Sequence, residues 1–273
     1  MDTYCVMGNP VEHSKSPWIH ARFAQLTGQE LRYEKRLVPV DAFAQAVRAF
    51  RAEGGKGCNV TVPFKFDSPN LATKLTARAR LAQASNTLRF DAGEVLGDNT
   101  DGVGLVNDIE RNAGVAIAGR DVLLVGAGGA AAGVLGPCIE AGPRRIVVAN
   151  RTASRAHALV ARHAQLAANV ELAACSTDAI PGMFDIVVNA TAASMSGSGV
   201  PFAASVLKPR ALAIDLMYGP AAAGFIAWAQ GNGAVARDGL GMLVEQAAEA
   251  FMVWRGIRPP SGQVLAELRA TLA

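Results

Sequence analysis

Short apolar runs alternate with segments of helical spacing along the first hundred residues. The runs TYCVMG, LRYEKRL (Leu31 to Leu37) and CNVTV predict strands. Apolar residues three or four positions apart predict helices from Ser16 to about Thr27, from Asp41 to Glu53 and from about Asn70 to Gln83. Ser16 followed by Pro17 is typical of an N-cap and a first helical position. SNTLRF and EVLGDN flank a turn and predict a hairpin. This order indicates a largely parallel sheet with helices on its faces.

A second strand and helix series follows a helix predicted at 101–112. Its strands, DVLLVG, RRIVVAN, FDIVVNA and ALAIDLMY, are continuous apolar runs, as expected for strands that are covered on both faces. A Gly/Ala-rich helix and a helix from about Ser154 to Leu166 lie between them. Two final helices, from Leu240 to Trp254 and from Ser261 to Leu272, could belong to either half. The pattern predicts an α/β protein of two domains.

The stretch NVTVPFK, residues 59–65, has polar residues at alternate positions. In an extended chain successive side chains point to opposite faces. Asn59, Thr61 and Lys65 would then share one face, while the apolar residues between them pack inward. The arrangement raises the question of which ligand needs two hydrogen-bonding groups and a cation.

Composition and charge limit the classes of partner. The 273 residues are 51% hydrophobic, which is enough for a buried core. The formal net charge is only +3, and the basic residues are dispersed along the chain. This distribution argues against a nucleic-acid partner. The start MDTYCVMGNP lacks the basic region of a signal peptide, and glycines interrupt the uncharged window 122–139, so a strand, turn and helix are favoured over a membrane span. We expect a cytoplasmic protein with no membrane partner.

The cysteines do not indicate a metal site. Cys5, Cys58, Cys138 and Cys175 are far apart and lack the paired spacing of a zinc site or a redox dithiol. Reduced thiols fit a cytoplasmic protein, and no bound metal is expected.

A glycine motif predicts a dinucleotide site. In DVLLVGAGGAAAG, Gly126, Gly128 and Ala131 have the spacing G-x-G-x-x-A, directly after a predicted strand and at the start of a predicted helix. Glycines at such a turn let a pyrophosphate approach the backbone, and N–H groups at the helix N-terminus meet its charge. The motif alone is weak evidence, and a glycine-rich connector is the alternative. Its position between strand and helix favours the dinucleotide site.

The next strand end predicts which dinucleotide binds. An NAD site has an Asp or Glu about twenty residues after the glycine motif. Here Asn150 replaces the carboxylate, and Arg151, Thr152 and Arg155 follow it. A carboxylate would repel a 2′-phosphate, whereas a guanidinium can bind it with two hydrogen bonds and stack on adenine. The sequence therefore predicts NADP, and the alternative is that both arginines are simply solvated.

Seven motifs resemble those of one enzyme family. They are GNPVEHSKSPWIH, GCNVTVPFK, SNTL, GDNTDGVG, VGAGGAA, NRT and DGLGMLVEQAA. Their order and intervals are similar to those of shikimate dehydrogenases from Gly8 to about Phe251. The resemblance implies a reversible, NADP-linked interconversion of 3-dehydroshikimate and shikimate on the route to chorismate and the aromatic amino acids. It also implies an N-terminal α/β substrate domain and a Rossmann-type dinucleotide-binding domain with a cleft between them. The first would comprise residues 1–104, completed by C-terminal helices in 239–273, and the second residues 105–238.

The resemblance also implies the roles of individual residues. The catalytic lysine and aspartate pair falls on Lys65 and Asp101. The substrate carboxylate would be held by Ser14 and Ser16. The ring hydroxyls would be held by Asn59, Thr61, Asn86 and Gln246, with Tyr218 nearby. The cofactor ligands would be Gly126, Ala127, Gly128, Gly129, Ala130, Asn150, Arg151, Thr152, Arg155, Met217 and Gly239.

The residue types agree with this chemistry but leave alternatives open. Hydride transfer to a carbonyl carbon needs a positioned acid/base, and Lys65 can donate a proton or stabilise an alkoxide while Asp101 holds the ammonium. Ser16 could act only as an N-cap, Asp101 as a turn residue and Gln246 as ordinary surface. The alternative functions are a quinate/shikimate dehydrogenase with relaxed cofactor use and a non-catalytic relative that binds a nucleotide or metabolite. A small-molecule substrate and a monomer or homodimer are expected.

Overall fold

The computed structural model describes residues 1–191 and 200–272. The chain forms two compact units. Unit 1 comprises Met1–Gly104 and Val244–Ala273, and unit 2 comprises Leu105–Leu243. Each unit contains one six-stranded sheet. Within the described ranges, no helix is long and apolar enough to cross a membrane.

The sheet of unit 1 is mixed. Its strands are β1 (Asp2–Gly8), β2 (Leu31–Leu37), β3 (Gly57–Val60), β4 (Lys74–Leu75), β5 (Thr87–Phe90) and β6 (Val95–Asp98). They lie in the order β2-β1-β3-β5-β6-β4. Strand β1 pairs in parallel with β2 and β3, whereas β5 pairs antiparallel with β3 and β6. The hairpin that the sequence predicts is present as β5 and β6, and it makes the sheet mixed rather than largely parallel.

Helices cover both faces of this sheet. They are α1 (Ser16–Thr27), α2 (Phe43–Ala52), α3 (Ala77–Ala82), the start of α4 (Asp101–Asn107), most of α8 (Leu240–Arg255) and α9 (Ser261–Leu272). On one face, Phe43 and Phe50 of α2 join a core cluster that includes Cys58 of β3. Since side chains alternate along a strand, the neighbouring Asn59 points to the opposite face. Strand β3 is therefore buried on both sides.

Unit 2 is a fully parallel sheet with a dinucleotide-fold strand order. Its strands are β7 (Asp121–Val125), β8 (Arg145–Ala149), β9 (Glu171–Cys175), β10 (Phe184–Asn189), β11 (Leu207–Asp215) and β12 (Val235–Arg237). The order β12-β11-β10-β7-β8-β9 is that of the doubly wound Rossmann fold, in which the order reverses beside the first strand. The helices α5 (Gly129–Glu140), α6 (Ala153–His163) and α7 (Ala223–Gly231) connect the strands. The predicted fold class, α/β with a Rossmann-type unit, is confirmed.

The edge strands and one helix of unit 2 were not predicted. β9 is only partly buried, and β12 has three residues, so neither carries the continuous apolar run that marks a covered strand. Helix α7 has apolar residues on all sides and therefore no helical periodicity to detect.

The helix predicted from Asn70 to Gln83 is confirmed only over Ala77–Ala82 and is wrong before it. This stretch contains a 3₁₀ turn at Ser68–Leu71, strand β4 and only then α3. The backbone N–H of Thr73 donates to the carbonyl of Val95 at 2.8 Å. This hydrogen bond holds the segment at the edge of the sheet, where it forms β4 instead of a helix. Thr76 then caps α3, because its hydroxyl accepts a hydrogen bond from the N–H of Ala79 at 3.3 Å.

Candidate active site

Lys65 and Asp101 form a partly buried ion pair in unit 1. Lys65 lies in a 3₁₀ turn at Phe64–Phe66 that follows β3, and Asp101 is the first residue of α4. The Lys65 Nζ atom donates to Asp101 Oδ2 at 2.5 Å. The lysine side chain is 16% exposed and the aspartate side chain 5% exposed. An ammonium that is held by a carboxylate and still reaches solvent can meet a polar ligand.

The alternation expected across NVTVPFK ends at Val60. After β3 the chain leaves the sheet, so Asn59 is buried inside the strand while Val62 is 59% exposed, contrary to the inward packing expected for it. Phe64 is fully buried and stacks on Phe43, with ring centroids 4.6 Å apart. This stacking anchors the turn. Lys65 therefore reaches Asp101 from a turn rather than from an extended strand.

Asn86 holds the other oxygen of Asp101. Its Nδ2 atom donates to Asp101 Oδ1 at 2.8 Å, and its Oδ1 atom accepts the backbone N–H of Thr100 at 2.8 Å. The same Nδ2 lies 3.3 Å from Gln246 Oε1. Asn86 and Gln246 are both buried, so Gln246 is not ordinary surface. Three of the predicted site residues thus meet through side-chain hydrogen bonds.

Asn59 joins this network from the adjacent strand. Its Nδ2 atom donates to the backbone carbonyl of Asn86 at 3.2 Å and to Thr87 Oγ1 at 3.1 Å. The Thr87 hydroxyl in turn donates to Asn86 Oδ1 at 3.0 Å. Asn59 Oδ1 accepts the hydroxyl of Tyr33 at 2.7 Å. The sequence does not predict a role for Tyr33, Thr87 and Thr100, because nothing in their local pattern shows which neighbours they contact.

A second ion-pair network supports the segment that ends in Asp101. Arg78 of α3 binds both carboxylate oxygens of Asp98, at 2.7 and 2.6 Å, and reaches Glu249 of α8 at 3.0 Å. Asp98 also accepts the Thr76 hydroxyl at 2.6 Å and the N–H of Asn99 at 2.7 Å. Burial raises the pKa of Asp98, but the hydrogen bonds and charge of Arg78 outweigh that effect and hold the pKa below its usual range.

Ser14 and Ser16 lie at the start of α1. The N-cap position is Lys15, so the expectation that Ser16 is the N-cap is wrong by one residue. Ser16 is the first helical residue, and its N–H donates to Ser14 Oγ at 3.3 Å. The N-cap residue Lys15 makes no side-chain capping hydrogen bond. Both hydroxyls therefore lie at the positive end of the helix, where a carboxylate is favoured.

Thr61 and Tyr218 are in different units. Thr61 directly follows β3, and its carbonyl accepts the N–H of Phe64 at 3.0 Å, so it begins the turn that carries Lys65. Tyr218 follows β11 in unit 2 and is partly buried.

The glycine motif of unit 2 forms the turn between β7 and α5. Gly126 has a φ of 117°, and a Cβ atom there would lie 2.9 Å from the carbonyl oxygen of Ala190, so only glycine fits. Gly128 precedes the helix, and among the described residues beyond its chain neighbours no atom lies within 4 Å of the position its Cβ would take. Gly129 and Ala130 are the first two helical residues, and Ala127 lies between the two glycines of the turn. The first N–H groups of a helix have no intrahelical partner, so the turn and the open space at Gly128 fit a pyrophosphate.

The segment after β8 presents two cations. Asn150 Nδ2 donates to the carbonyl of Thr152 at 2.9 Å, and Thr152 is the N-cap position of α6. Arg151 and Arg155 are exposed. In the described part of the chain neither guanidinium has a carboxylate partner. The site thus fits an anionic group at the position where an NAD site has a carboxylate.

Met217 and Gly239 meet at the carboxyl ends of β11 and β12. The N–H of Gly239 donates to the Met217 carbonyl at 2.8 Å, and the Met217 N–H donates to Asp215 Oδ1 at 2.8 Å. A Cβ atom on Gly239 would lie 2.3 Å from the carbonyl oxygen of Leu216. This edge of a parallel sheet is where nucleotide ligands bind in doubly wound folds. Among the described residues, no group of His, Cys, Asp and Glu side chains could hold a metal ion.

Three family profiles match successive parts of the chain. Residues 6–88 match the shikimate dehydrogenase substrate binding domain, residues 109–216 match shikimate / quinate 5-dehydrogenase, and residues 239–269 match the shikimate 5'-dehydrogenase C-terminal domain.

A curated relative and two solved structures are similar to this chain over nearly its whole length. The shikimate dehydrogenase (NADP(+)) of Acidovorax sp. (strain JS42) is 65% identical over 100% of this chain and 97% of the relative. The crystal structure of an Ael1 enzyme from Pseudomonas putida is 44% identical, with a TM-score of 0.88 over 98% of both chains. Shikimate 5-dehydrogenase from Thermus thermophilus, solved with NADP(H) and shikimate, is 29% identical, with a TM-score of 0.86 over 100% of both chains.

We predict that Arg78→Leu destabilises the protein by about 3–5 kcal/mol at pH 7, because it leaves the buried carboxylate of Asp98 without its cation. The Asp98 pKa is lowered in the folded protein, so its contribution to stability is present above the unfolded pKa of about 3.9 and is lost as pH falls through the folded pKa. The difference between wild type and variant should therefore shrink as the pH falls below about 4, through the folded pKa of Asp98. Urea unfolding at several pH values measures it.

The matched control is Arg32→Leu. Arg32 is 66% exposed, and its pair with Glu34 spans 3.4 Å, so the loss should stay below about 1 kcal/mol. Equal effects of the two substitutions, or a difference that does not depend on pH, would contradict the role given to Arg78.

Proposed function

The chain belongs to the shikimate dehydrogenase family, and we propose that it is the NADP-dependent oxidoreductase that interconverts 3-dehydroshikimate and shikimate. The observation that carries the proposal is the Lys65–Asp101 ion pair surrounded by Asn59, Asn86 and Gln246, because a polyhydroxylated acid needs many hydrogen-bonding groups around one acid/base. The NADP-dependent relative from Acidovorax sp. (strain JS42), 65% identical across the whole chain, supports the same substrate and cofactor. The reaction belongs to chorismate and aromatic amino acid biosynthesis.

Lys65 and Asp101 handle the proton in this proposal. When bound, NADP(H) supplies or accepts the hydride at the substrate carbon. The ammonium of Lys65 faces the carbonyl oxygen of 3-dehydroshikimate and stabilises the negative charge that develops there. The pair then delivers one proton to that oxygen to give the hydroxyl of shikimate. Asp101, fixed by Asn86, keeps the ammonium in line with the oxygen.

The remaining polar groups bind the substrate. Ser14 and Ser16, at the positive end of α1, hold the carboxylate. The ring hydroxyls are held by Asn59, Thr61, Asn86 and Gln246, and Tyr218 is a further substrate residue. The longest contact of Asn86, 3.3 Å to Gln246, is the one that a ring hydroxyl replaces.

Unit 2 binds NADP in this proposal. The turn at Gly126, Ala127, Gly128, Gly129 and Ala130 holds the pyrophosphate, supported by the positive φ of Gly126 and the space at Gly128. Arg151 and Arg155 bind the 2′-phosphate beside Asn150 and Thr152. Met217 and Gly239 line the nicotinamide end of the site. Residues 1–104 and 239–273 then form the substrate domain, and residues 105–238 the cofactor domain.

We place the enzyme in the cytoplasm as a monomer or homodimer. All four cysteines are free, as in reducing compartments.

The direct test is an activity matrix. Purified protein is assayed with shikimate or quinate, each with NADP+ or NAD+, by the formation of reduced nicotinamide. We expect the highest kcat/KM with shikimate and NADP+. Comparable turnover of quinate or use of NAD+ would favour a quinate/shikimate dehydrogenase with relaxed cofactor use. An absence of turnover with all four pairs would favour a non-catalytic relative.

We predict that Lys65→Ala lowers kcat about 10²- to 10⁴-fold and changes the KM for shikimate far less, because the ammonium acts mainly on the transition state. Steady-state kinetics in both substrates measure this. Lys56→Ala is the control, since Lys56 is exposed and precedes β3. If Lys65→Ala changed KM alone, the lysine would be a binding residue and not the acid/base.

We predict that Arg151→Ala raises the KM for NADP+ about 10- to 100-fold and leaves the KM for NAD+ almost unchanged, because a charge-assisted hydrogen bond to the 2′-phosphate is lost. Arg120→Ala is the control, since Arg120 is a half-exposed arginine of unit 2 paired with Asp185 at 3.5 Å. An unchanged NADP+/NAD+ preference in Arg151→Ala would show that this arginine does not select the cofactor.

A further inference from the structure

Tyr33 contacts the candidate substrate site without belonging to any of the motifs. It lies on β2, and its hydroxyl donates to Asn59 Oδ1 at 2.7 Å. Asn59 connects through Thr87 to Asn86, and Asn86 connects to Asp101. The hydroxyl of Tyr33 is thus the outer end of a hydrogen-bond chain that leads to the Lys65–Asp101 pair.

The ring of Tyr33 is held by aromatic packing. It stacks on His20 of α1 with ring centroids 4.3 Å apart and an interplanar angle of 5°. His20 is fully buried, and among the described residues neither ring nitrogen has a hydrogen-bond partner of ordinary geometry, although Asn59 lies close to the ring. Burial lowers the pKa of His20 to about 3, so the ring is neutral at physiological pH. Trp254 lies against the other two rings. The position of the hydroxyl is therefore fixed by packing.

The Tyr33 hydroxyl keeps its proton and can therefore donate a hydrogen bond. Burial raises the pKa of Tyr33 well above its usual range, and the Cys5 and Cys58 side chains add to the rise. Ser16 lies within reach of the hydroxyl and opposes the rise in part. Tyr33 is thus close to two predicted substrate residues, one for the carboxylate and one for the ring.

Only one of the two flip orientations of the Asn59 side-chain amide suits its neighbours. Both hydrogens of Nδ2 point inward, to the Asn86 carbonyl and to Thr87 Oγ1. A flipped amide would set Asn59 Oδ1 against the Asn86 carbonyl oxygen, two acceptors about 3 Å apart. In the observed orientation Oδ1 accepts Tyr33 with one lone pair and keeps the second for another donor.

We propose that Tyr33 is a positioning residue, whose hydroxyl fixes the Asn59 amide so that Oδ1 accepts a hydrogen bond from a ring hydroxyl of the substrate. The inference rests on the proposed function. His20 contributes by holding the Tyr33 ring parallel to its own. Tyr33 does not itself take part in proton transfer, so its loss should weaken substrate binding more than turnover.

Tyr33→Phe tests this with the loss of one oxygen atom. We expect the KM for shikimate to rise about tenfold, while kcat changes less than about threefold and the KM for NADP+ stays within about twofold. In an Asn59→Ala background, Tyr33→Phe should have almost no further effect on the KM for shikimate, because the amide that it positions is gone. Steady-state kinetics of the four proteins give both results.

Tyr4→Phe is the matched control. Tyr4 is another tyrosine of unit 1 that packs against Trp254, but its hydroxyl lies 3.5 Å from Arg255 Nη1. It should leave the KM for shikimate unchanged. If Tyr33→Phe does not fold, Tyr33→Met also lacks the donor and has a flexible side chain that can fill the space beside His20.

Three outcomes would overturn the inference. They are a KM for shikimate within about twofold of wild type in folded Tyr33→Phe or Tyr33→Met, additive effects of Tyr33→Phe and Asn59→Ala, and an equal change in Tyr4→Phe. Failure of the proposed function is a separate result, since wild type would then not turn over shikimate with NADP+ at all.

Discussion

The candidate site depends on one constraint, which is that both oxygens of the Asp101 carboxylate are occupied. Lys65 takes one oxygen and Asn86 takes the other. A carboxylate that is 5% exposed is stable as an anion only with such partners, and the lysine gains a fixed position in return. The chain brings these groups together from a turn after β3, the start of β5 and the start of α4.

A second buried carboxylate, that of Asp98, is stabilised in the same way. Asp98 is buried at the end of β6 and is neutralised by Arg78, which also reaches Glu249 on α8. Gln246 lies on that same helix and contacts Asn86. The buried charges therefore link the segment that carries Asp101 to the helix that carries Gln246. Asp98, Asp101 and Asn86 each have partners that are themselves held, which is the condition for a precise polar site.

The groups of unit 2 that suit a dinucleotide have to meet the negative charge of a ligand. A dinucleotide brings phosphates, and the unit offers a glycine turn at a helix N-terminus and, after the next strand, two exposed arginines. Gly126 is required by its positive φ and by the close carbonyl of Ala190. Gly128 is different, because the structure leaves open space there. The two glycines of one motif thus differ in how closely the rest of the unit packs against them.

The sequence alone determined the fold class and the motifs, because hydrophobic periodicity and glycine spacing are local properties of the chain. Where local and long-range interactions compete, the local pattern predicts the wrong structure. The stretch from Asn70 to Gln83 has helical spacing, but sheet pairing at Thr73 decides its structure. Likewise NVTVPFK predicted a shared face for Asn59 and Lys65, whereas the chain leaves the sheet after Val60. Only the tertiary structure revealed Tyr33, Thr87 and Arg78, since their contacts join residues distant in sequence, and a hydrogen bond between such residues leaves no trace in the local pattern.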